Sequence, residues 1–173
     1  MRTLFLFLTC TLFCLRLAGQ SDHKISIYAK MQGNYIYYDE AMGRSPGLGT
    51  GIEMDLNLQS GLRPFVDFGC DIFPANDVLT TVNGIELEQK KTVPSIFVGT
   101  SYPVFRNFYI SLEAGPTFLN SDVYLGIKPG ISYFMDKKQR ISAVLSFTHI
   151  FKADHSNDGP FGYASLGLDF RVF

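Results

Sequence analysis

Between Gly47 and Asn76 the chain separates, residue by residue, into an oily face and a polar face. In its first part Leu48, Thr50, Ile52, Met54, Leu56 and Leu58 share one parity, and Gly47, Gly49, Gly51, Glu53, Asp55, Asn57 and Gln59 share the other. In its second part Leu62, Pro64, Val66, Phe68, Cys70 and Ile72 lie opposite Arg63, Phe65, Asp67, Gly69 and Asp71. A period of two sustained over so many residues belongs to a strand and not to a helix. Only Gln59, Ser60 and Gly61 separate the two runs, so they predict a hairpin with a tight end. Ordinary strands run about five or six residues and membrane-spanning strands about nine to eleven. These runs fall in the longer class.

The same pattern recurs along the chain. Lys24 to Tyr38 sets Ile25, Ile27, Ala29, Met31, Tyr35 and Tyr37 against Lys24, Ser26, Tyr28, Lys30, Gln32 and Asn34. Thr92 to Val104 is a weaker case, with Pro94, Ile96, Val98, Thr100 and Tyr102 opposite Ser95, Gly99 and Ser101. Phe108 to Leu119 and Val123 to Met135 alternate clearly, and Ile141 to Lys152 and Phe161 to Phe173 complete a set of eight strands. The links after the second, fourth and sixth strands are short: residues 59–61, 103–107 and 136–140. Those after the first, third and seventh, at 39–46, 74–91 and 153–160, are longer and polar, while the fifth link, 120–122, is a short exception. Short turns at one end and long loops at the other predict an all-β fold: an eight-stranded antiparallel up-and-down transmembrane β-barrel. An even strand count puts both termini at the short-turn end, expected to be periplasmic.

Alternation alone does not say which face is inside. In a lipid-facing barrel the oily face is outermost; in a secreted soluble barrel it would line a cavity carrying an apolar ligand. The polar parity holds Lys30, Glu53, Asp55, Arg63, Asp67, Asp71, Glu113, Lys128, Lys152, Asp169 and Arg171, interspersed with glycines. An eight-stranded barrel has room inside only for side chains, and buried charges persist only when paired and hydrogen-bonded. Five cations and six anions on this face therefore predict a charge network filling a plugged, non-conducting lumen. Aromatic residues near strand ends on the oily parity (Tyr35, Tyr37, Tyr102, Phe108, Phe118, Tyr133 and Phe151) suit interfacial girdles.

Met1 to Gln20 combines a basic Arg2, an apolar run from Leu4 to Leu15 and the small pair Ala18-Gly19, the arrangement of a secretory signal peptide cleaved after Gly19. The run is shorter than the roughly 20 residues a spanning helix needs, and Arg16 interrupts it. Removal of 19 of the 173 residues leaves 154, residues 20–173, as a single barrel domain. Cys70 is then the lone cysteine, which excludes an intrachain disulfide or a thiolate metal cluster. A formal charge of -1 with a pI near 6.3 lacks the basic stripe of a nucleic-acid surface.

The signal peptide, the eight alternating strands, segments such as Gly126 to Phe134 (GIKPGISYF) and a Phe at 173 after Gly167 to Val172 (GLDFRV) are together similar to the small outer-membrane β-barrel proteins of Gram-negative bacteria, over essentially all of residues 20–173. The resemblance implies an outer-membrane location, contact with outer-membrane lipid and lipopolysaccharide, insertion by the barrel-assembly machinery, and a structural, adhesive or complex-subunit role for a monomer without cofactors. In the last strand Val172, Phe170, Leu168 and Leu166 take the oily parity, leaving Arg171, Asp169 and Gly167 on the other.

Some barrels of this size hydrolyse lipid A esters with a His-x-Ser-Asn on the penultimate strand. A serine nucleophile needs an adjacent base and an orienting acid. Here His149 has the required outward parity, but Phe151 stands where the serine would be, and the last strand offers Phe161 and Tyr163 where an acid would be useful. His155-Ser156-Asn157-Asp158-Gly159 carries the right residue types at the wrong spacing and reads as a polar turn. His149, His155 and Ser156 are thus the weak catalytic candidates of a chain expected not to be an enzyme. Asp67 and Asp71 share a face about 13 Å apart, too far to share a metal ion, and His23, His149 and His155 have no zinc-like spacing, so no metal site is expected. The longest link, 74–91, holds Asn83-Gly84 between apolar pairs, so it is expected to extend the hairpin beyond the membrane and to be the contact surface for an extracellular partner.

Overall fold

The computed structural model describes residues 24–38, 45–58, 60–82, 85–119, 122–151 and 161–173, with the side chains of 24 and 75–91 left out. The expected signal segment, Lys152, His155 and Ser156 lie outside the described residues. Eight strands form one closed sheet: β1 (Lys24–Tyr38), β2 (Pro46–Asn57), β3 (Arg63–Val82), β4 (Ile85–Phe105), β5 (Phe108–Leu119), β6 (Asp122–Phe134), β7 (Ile141–Phe151) and β8 (Phe161–Arg171). Each strand pairs antiparallel with its sequence neighbour, and β8 returns to β1 to close the barrel. Closure leaves no free sheet edge along the body of the barrel.

The closed sheet decides which of the two parities lies outside. The oily residues point outward: Met31, Leu48, Val98 and Leu166 are 66, 73, 62 and 66% exposed. A continuous apolar belt of this kind is far larger than the patches soluble monomers tolerate, and it is the surface hydrocarbon solvates. The aromatic residues named above lie outside as well, with Tyr35, Tyr37, Tyr102, Phe108, Phe118, Tyr133 and Phe151 all exposed. The inward-facing side chains fill the lumen, and two cavities among the described residues there measure only about 30 and 10 Å³. That interior has no room for the apolar cargo of a carrier.

One expectation is made specific and another corrected. First, the long link 74–91 extends β3 and β4 as a hairpin, paired through Leu79↔Glu88, Thr80↔Leu87, Thr81↔Glu86 and Val82↔Ile85 beyond a register shift after Pro74. Its Asn83-Gly84 centre is the dipeptide that two-residue hairpin turns favour. The pairing of β2 with β3 ends at Leu48↔Ile72 and that of β4 with β5 at Ser95↔Thr117, so this hairpin runs past its neighbours. Second, the inward parity is not polar throughout. Ile36, Phe73, Val93, Leu119, Ile150, Phe161 and Tyr163 are buried together at the long-loop end, with Tyr124 packed against them. Tyr28, Tyr109 and Phe134 form a smaller cluster at the short-turn end.

Candidate functional site

The lumen is built in layers, each held by a different chemistry. At its middle, Lys30 on β1 and Lys128 on β6 reach the same carboxylate oxygen, Asp67 Oδ2 on β3, at 3.0 and 2.7 Å. Lys30 Nζ also lies 2.7 Å from Glu53 Oε2, and Lys128 Nζ lies 3.3 Å from Glu113 Oε2. The result is a chain of alternating charge, Glu53–Lys30–Asp67–Lys128–Glu113, running across four strands and β6. Glu53, Asp67 and Glu113 bring carboxylate oxygens within 4.8 Å of one another, a spacing that would suit a metal ion. Two ammonium groups already occupy the positions between them, so the cluster's cations are its own lysines. Phe97 closes one side of this layer, with Lys128 Nζ 5.5 Å from its ring centre.

Above the lysines, Asp71 is held without any cation. Gln32 Nε2 and Asn34 Nδ2 donate to its Oδ1 at 2.8 and 2.6 Å, and the Tyr163 hydroxyl donates to Oδ2 at 2.6 Å. Donors of this kind satisfy a buried carboxylate when no counter-ion is in reach. Gly49 makes room for this arrangement, because a Cβ at that position would push Asp71 Oδ1 and the Gln32 side chain out of it. Below the lysines, toward the short turns, Arg63 lies 4.3 Å over the Tyr109 ring and 5.3 Å from that of Phe134. Its Nη2 donates to the Tyr109 hydroxyl at 2.9 Å and to Gln139 Oε1 at 2.6 Å.

Most of the charged residues singled out from the sequence are therefore inside the barrel, but they are not paired one to one. Asp55 and Asp169 are buried with Lys30, Arg63 and Glu113, and beside the half-buried Glu53, around the 30 Å³ cavity. Arg171 sits at the rim and donates from Nε to the main-chain oxygen of Phe173 at 3.1 Å, away from the lysine layer. Asp71 is satisfied by neutral groups. The near balance of signs counted along the sequence is thus replaced, among the described residues, by three inward cations facing six carboxyl groups. Gln32, Asn34, Tyr109, Gln139 and Tyr163 complete the network; sequence alternation placed the first two on the right face but gave no reason to assign them this role.

His149 faces outward, as its parity requires, and is hydrogen-bonded through Nδ1 to the Tyr38 hydroxyl. Tyr38 belongs by parity to the lumen. A register shift between Ile36 and Tyr38 turns it outward, where its ring packs against Phe147 and His149 at 5.9 and 5.7 Å. The residue paired with His149 on β8 is Gly162, and Phe161 and Tyr163 point the other way, into the buried core. The direct partner of His149 on the last strand thus has no side chain to offer it. Among the described residues His149 has an aromatic setting, with Phe151 at 4.2 Å, and neither a serine nor a carboxylate is hydrogen-bonded to it.

No protein-family model matches the chain, and no curated protein sequence matches it. Solved structures do. The attachment invasion locus protein Ail of Yersinia pestis, solved in complex with the heparin analogue sucrose octasulfate, superposes with a TM-score of 0.58 at 11% identity, covering 88% of this chain and 100% of that one. A second structure of Ail gives 0.55 at 10% identity, covering 86% and 97%. A de novo designed transmembrane β-barrel gives 0.51 at 11% identity, covering 85% and 95%. At such identities the likeness concerns the backbone alone, and it spans nearly the whole of each neighbour. The chain has the fold of the small eight-stranded outer-membrane β-barrels.

Proposed function

We propose that this protein is an outer-membrane β-barrel of structural or adhesive role, with a closed, non-conducting lumen and its short turns facing the periplasm. The observation that carries the reading is the partition of the strands: an unbroken apolar outer belt around an interior of lysine–carboxylate pairs. A soluble protein would bury the first and hydrate the second. Lipid solvates the belt, and the layered lumen leaves no water-filled path for solute. The long β3–β4 hairpin, paired only with itself beyond Ile72 and Ser95, supports a contact surface outside the membrane at residues 74–91.

The test is fractionation of the exported chain followed by gel migration with and without boiling. Recovery in outer membranes, with a compact unboiled band and a slower boiled one, is the expected result. A chain that stays in the aqueous fraction without detergent would overturn the reading. Lipid A hydrolysis finds less support, because His149 is held by a tyrosine among phenylalanines. Acyl release from lipopolysaccharide that disappears in His149→Ala or Ser156→Ala would restore it.

A further inference from the structure

The short-turn end carries a concentration of positive charge that neither the lumen network nor the apolar belt explains. Lys137, Lys138, Arg140 and Arg106 are exposed, and Arg171 is half-buried at the rim. Lys138, Arg140 and Arg171 converge on one open concavity of about 510 Å³, whose remaining walls are Val172 and Phe173. Those two apolar residues are 70 and 74% exposed, and Met135 and Ile141, which flank the turn, are exposed beside them. Cationic heads at the end of an apolar wall are placed where a bilayer has its phosphates.

The turn between β6 and β7 is also fixed, which makes the concavity a preformed site. Gln139 takes a left-handed backbone conformation, with φ of 54°, and turns its side chain into the barrel mouth. There its Oε1 accepts from Arg63, its Nε2 donates to the Tyr109 hydroxyl at 3.0 Å, and its main-chain oxygen accepts from the Tyr28 hydroxyl at 3.2 Å. Asp136 Oδ1 accepts from the backbone N–H groups of Arg140 and Ile141 at 2.6 and 3.1 Å. With residue 139 pinned inward, the flanking Lys138 and Arg140 are directed to the surface. The carboxylate on this turn accepts from backbone donors and offsets part of the Arg140 charge, leaving Lys138 and Arg171 as the cations it does not oppose. The Arg171 bond to Phe173 uses one of the five N–H donors of a guanidinium and orients the rest.

We propose that this concavity is a headgroup site for an anionic glycerophospholipid, its phosphate held by Lys138, Arg140 and Arg171 and its acyl chains lying along Val172, Phe173 and Ile141. The proposal rests on the membrane reading above. A free anion would use the three cations but would leave the adjoining apolar wall without a role, and this favours the lipid.

The experiment reconstitutes the barrel in nanodiscs of equimolar phosphatidylglycerol and phosphatidylcholine, with heat-modifiable migration checked first. Lipids retained after mild detergent extraction are then counted by native mass spectrometry. The expected result is retention of phosphatidylglycerol over phosphatidylcholine, falling about fivefold for each cation removed in K138Q, R140Q and R171Q. Arg106→Gln, on the neighbouring turn, should leave retention unchanged. Should R140Q or R171Q not fold, Lys138→Gln alone carries the comparison, because that side chain makes none of the bonds that pin the turn. Equal retention of the two lipids by the native chain, or an equal loss in Arg106→Gln, would overturn the site. So would complete displacement of the lipid by inorganic phosphate at matched concentration, which would make it a free-anion site. A chain that is not heat-modifiable and never enters the nanodisc would refute the membrane reading first, and this proposal with it.

Discussion

The middle of the lumen and its long-loop end close the same barrel by opposite means. The middle is held by directional charge: one aspartate bridges two lysines, and each lysine meets a second acid. The long-loop end is held by shape, with Phe73 meeting Phe161 and Tyr163 edge-on at 5.8 and 5.2 Å. A charged layer fixes register, because each strand must present its charge at one height, and it fails sharply when a partner is lost. An apolar layer excludes water and ions without demanding a particular partner, and it fails in proportion to the volume removed. A barrel that has both is filled by charge at one level and by shape at another.

The sharpest way to break the comparison is at Asp67, which is 2% exposed and is the shared partner of both lysines. Asp67→Ala removes the bridge between two buried ammonium groups and leaves each with one acid, Glu53 for Lys30 and Glu113 for Lys128. Removing one partner of a buried pair costs about 3–5 kcal/mol. The midpoint of urea unfolding in detergent micelles should fall accordingly, and an unchanged midpoint would mean that water already solvates this layer. Phe73→Ala in the apolar seal should cost about 3 kcal/mol, the lower part of the range for deleting a buried phenyl ring. In planar bilayers it should still pass no current, since the lysine layer closes the barrel beneath it. Steady conductance in this single variant would show that the seal at the loop end is the only one.

The effect of Tyr163→Phe is smaller and tests where the two layers meet. The ring belongs to the apolar cluster while its hydroxyl donates to Asp71, so the substitution keeps the packing and removes one charge-assisted bond. Such a bond contributes about 1.5–3 kcal/mol. A cost close to that of Phe73→Ala would place the tyrosine's value in its hydroxyl; no cost would place it in the ring.

The two layers also differed in how far they could be read from the sequence. Lys30, Glu53, Asp67, Glu113 and Lys128 stand out because each is a charge between oily neighbours, and strict alternation assigns their face. The apolar seal was hidden because its residues sit where both faces are apolar. In Tyr35-Ile36-Tyr37-Tyr38, Ile72-Phe73, Phe118-Leu119 and Ile150-Phe151 the lipid girdle and the seal are adjacent in sequence, so no polar residue marks the parity. At Tyr38 the register shift reverses the parity altogether. Gln139 was invisible for another reason: alternation says nothing of turn residues, and its inward course depends on Arg63 and Tyr109, 76 and 30 positions away along the chain.

The smallest expected effect concerns the turn that carries Gln139. Asp136 lies outside the strands, where partial desolvation opposes its ionisation. The backbone N–H groups of Ile141 and Arg140 outweigh that and hold its carboxyl below the ordinary value of 3.8. A carboxyl depressed in the folded state stabilises the fold above its unfolded value, and that contribution disappears as pH falls through the folded one. Protection of the Arg140 and Ile141 amides, the exchange rate relative to the intrinsic rate at each pH, followed by NMR in micelles, should therefore hold down to about pH 4 and fall below it. In Asp136→Asn the amide oxygen still accepts but carries no charge, so protection should be lower at neutral pH and show no acid step. If the native turn showed no acid step, its geometry would owe nothing to the carboxylate, and the anchoring of Gln139 in the barrel mouth would suffice to hold it.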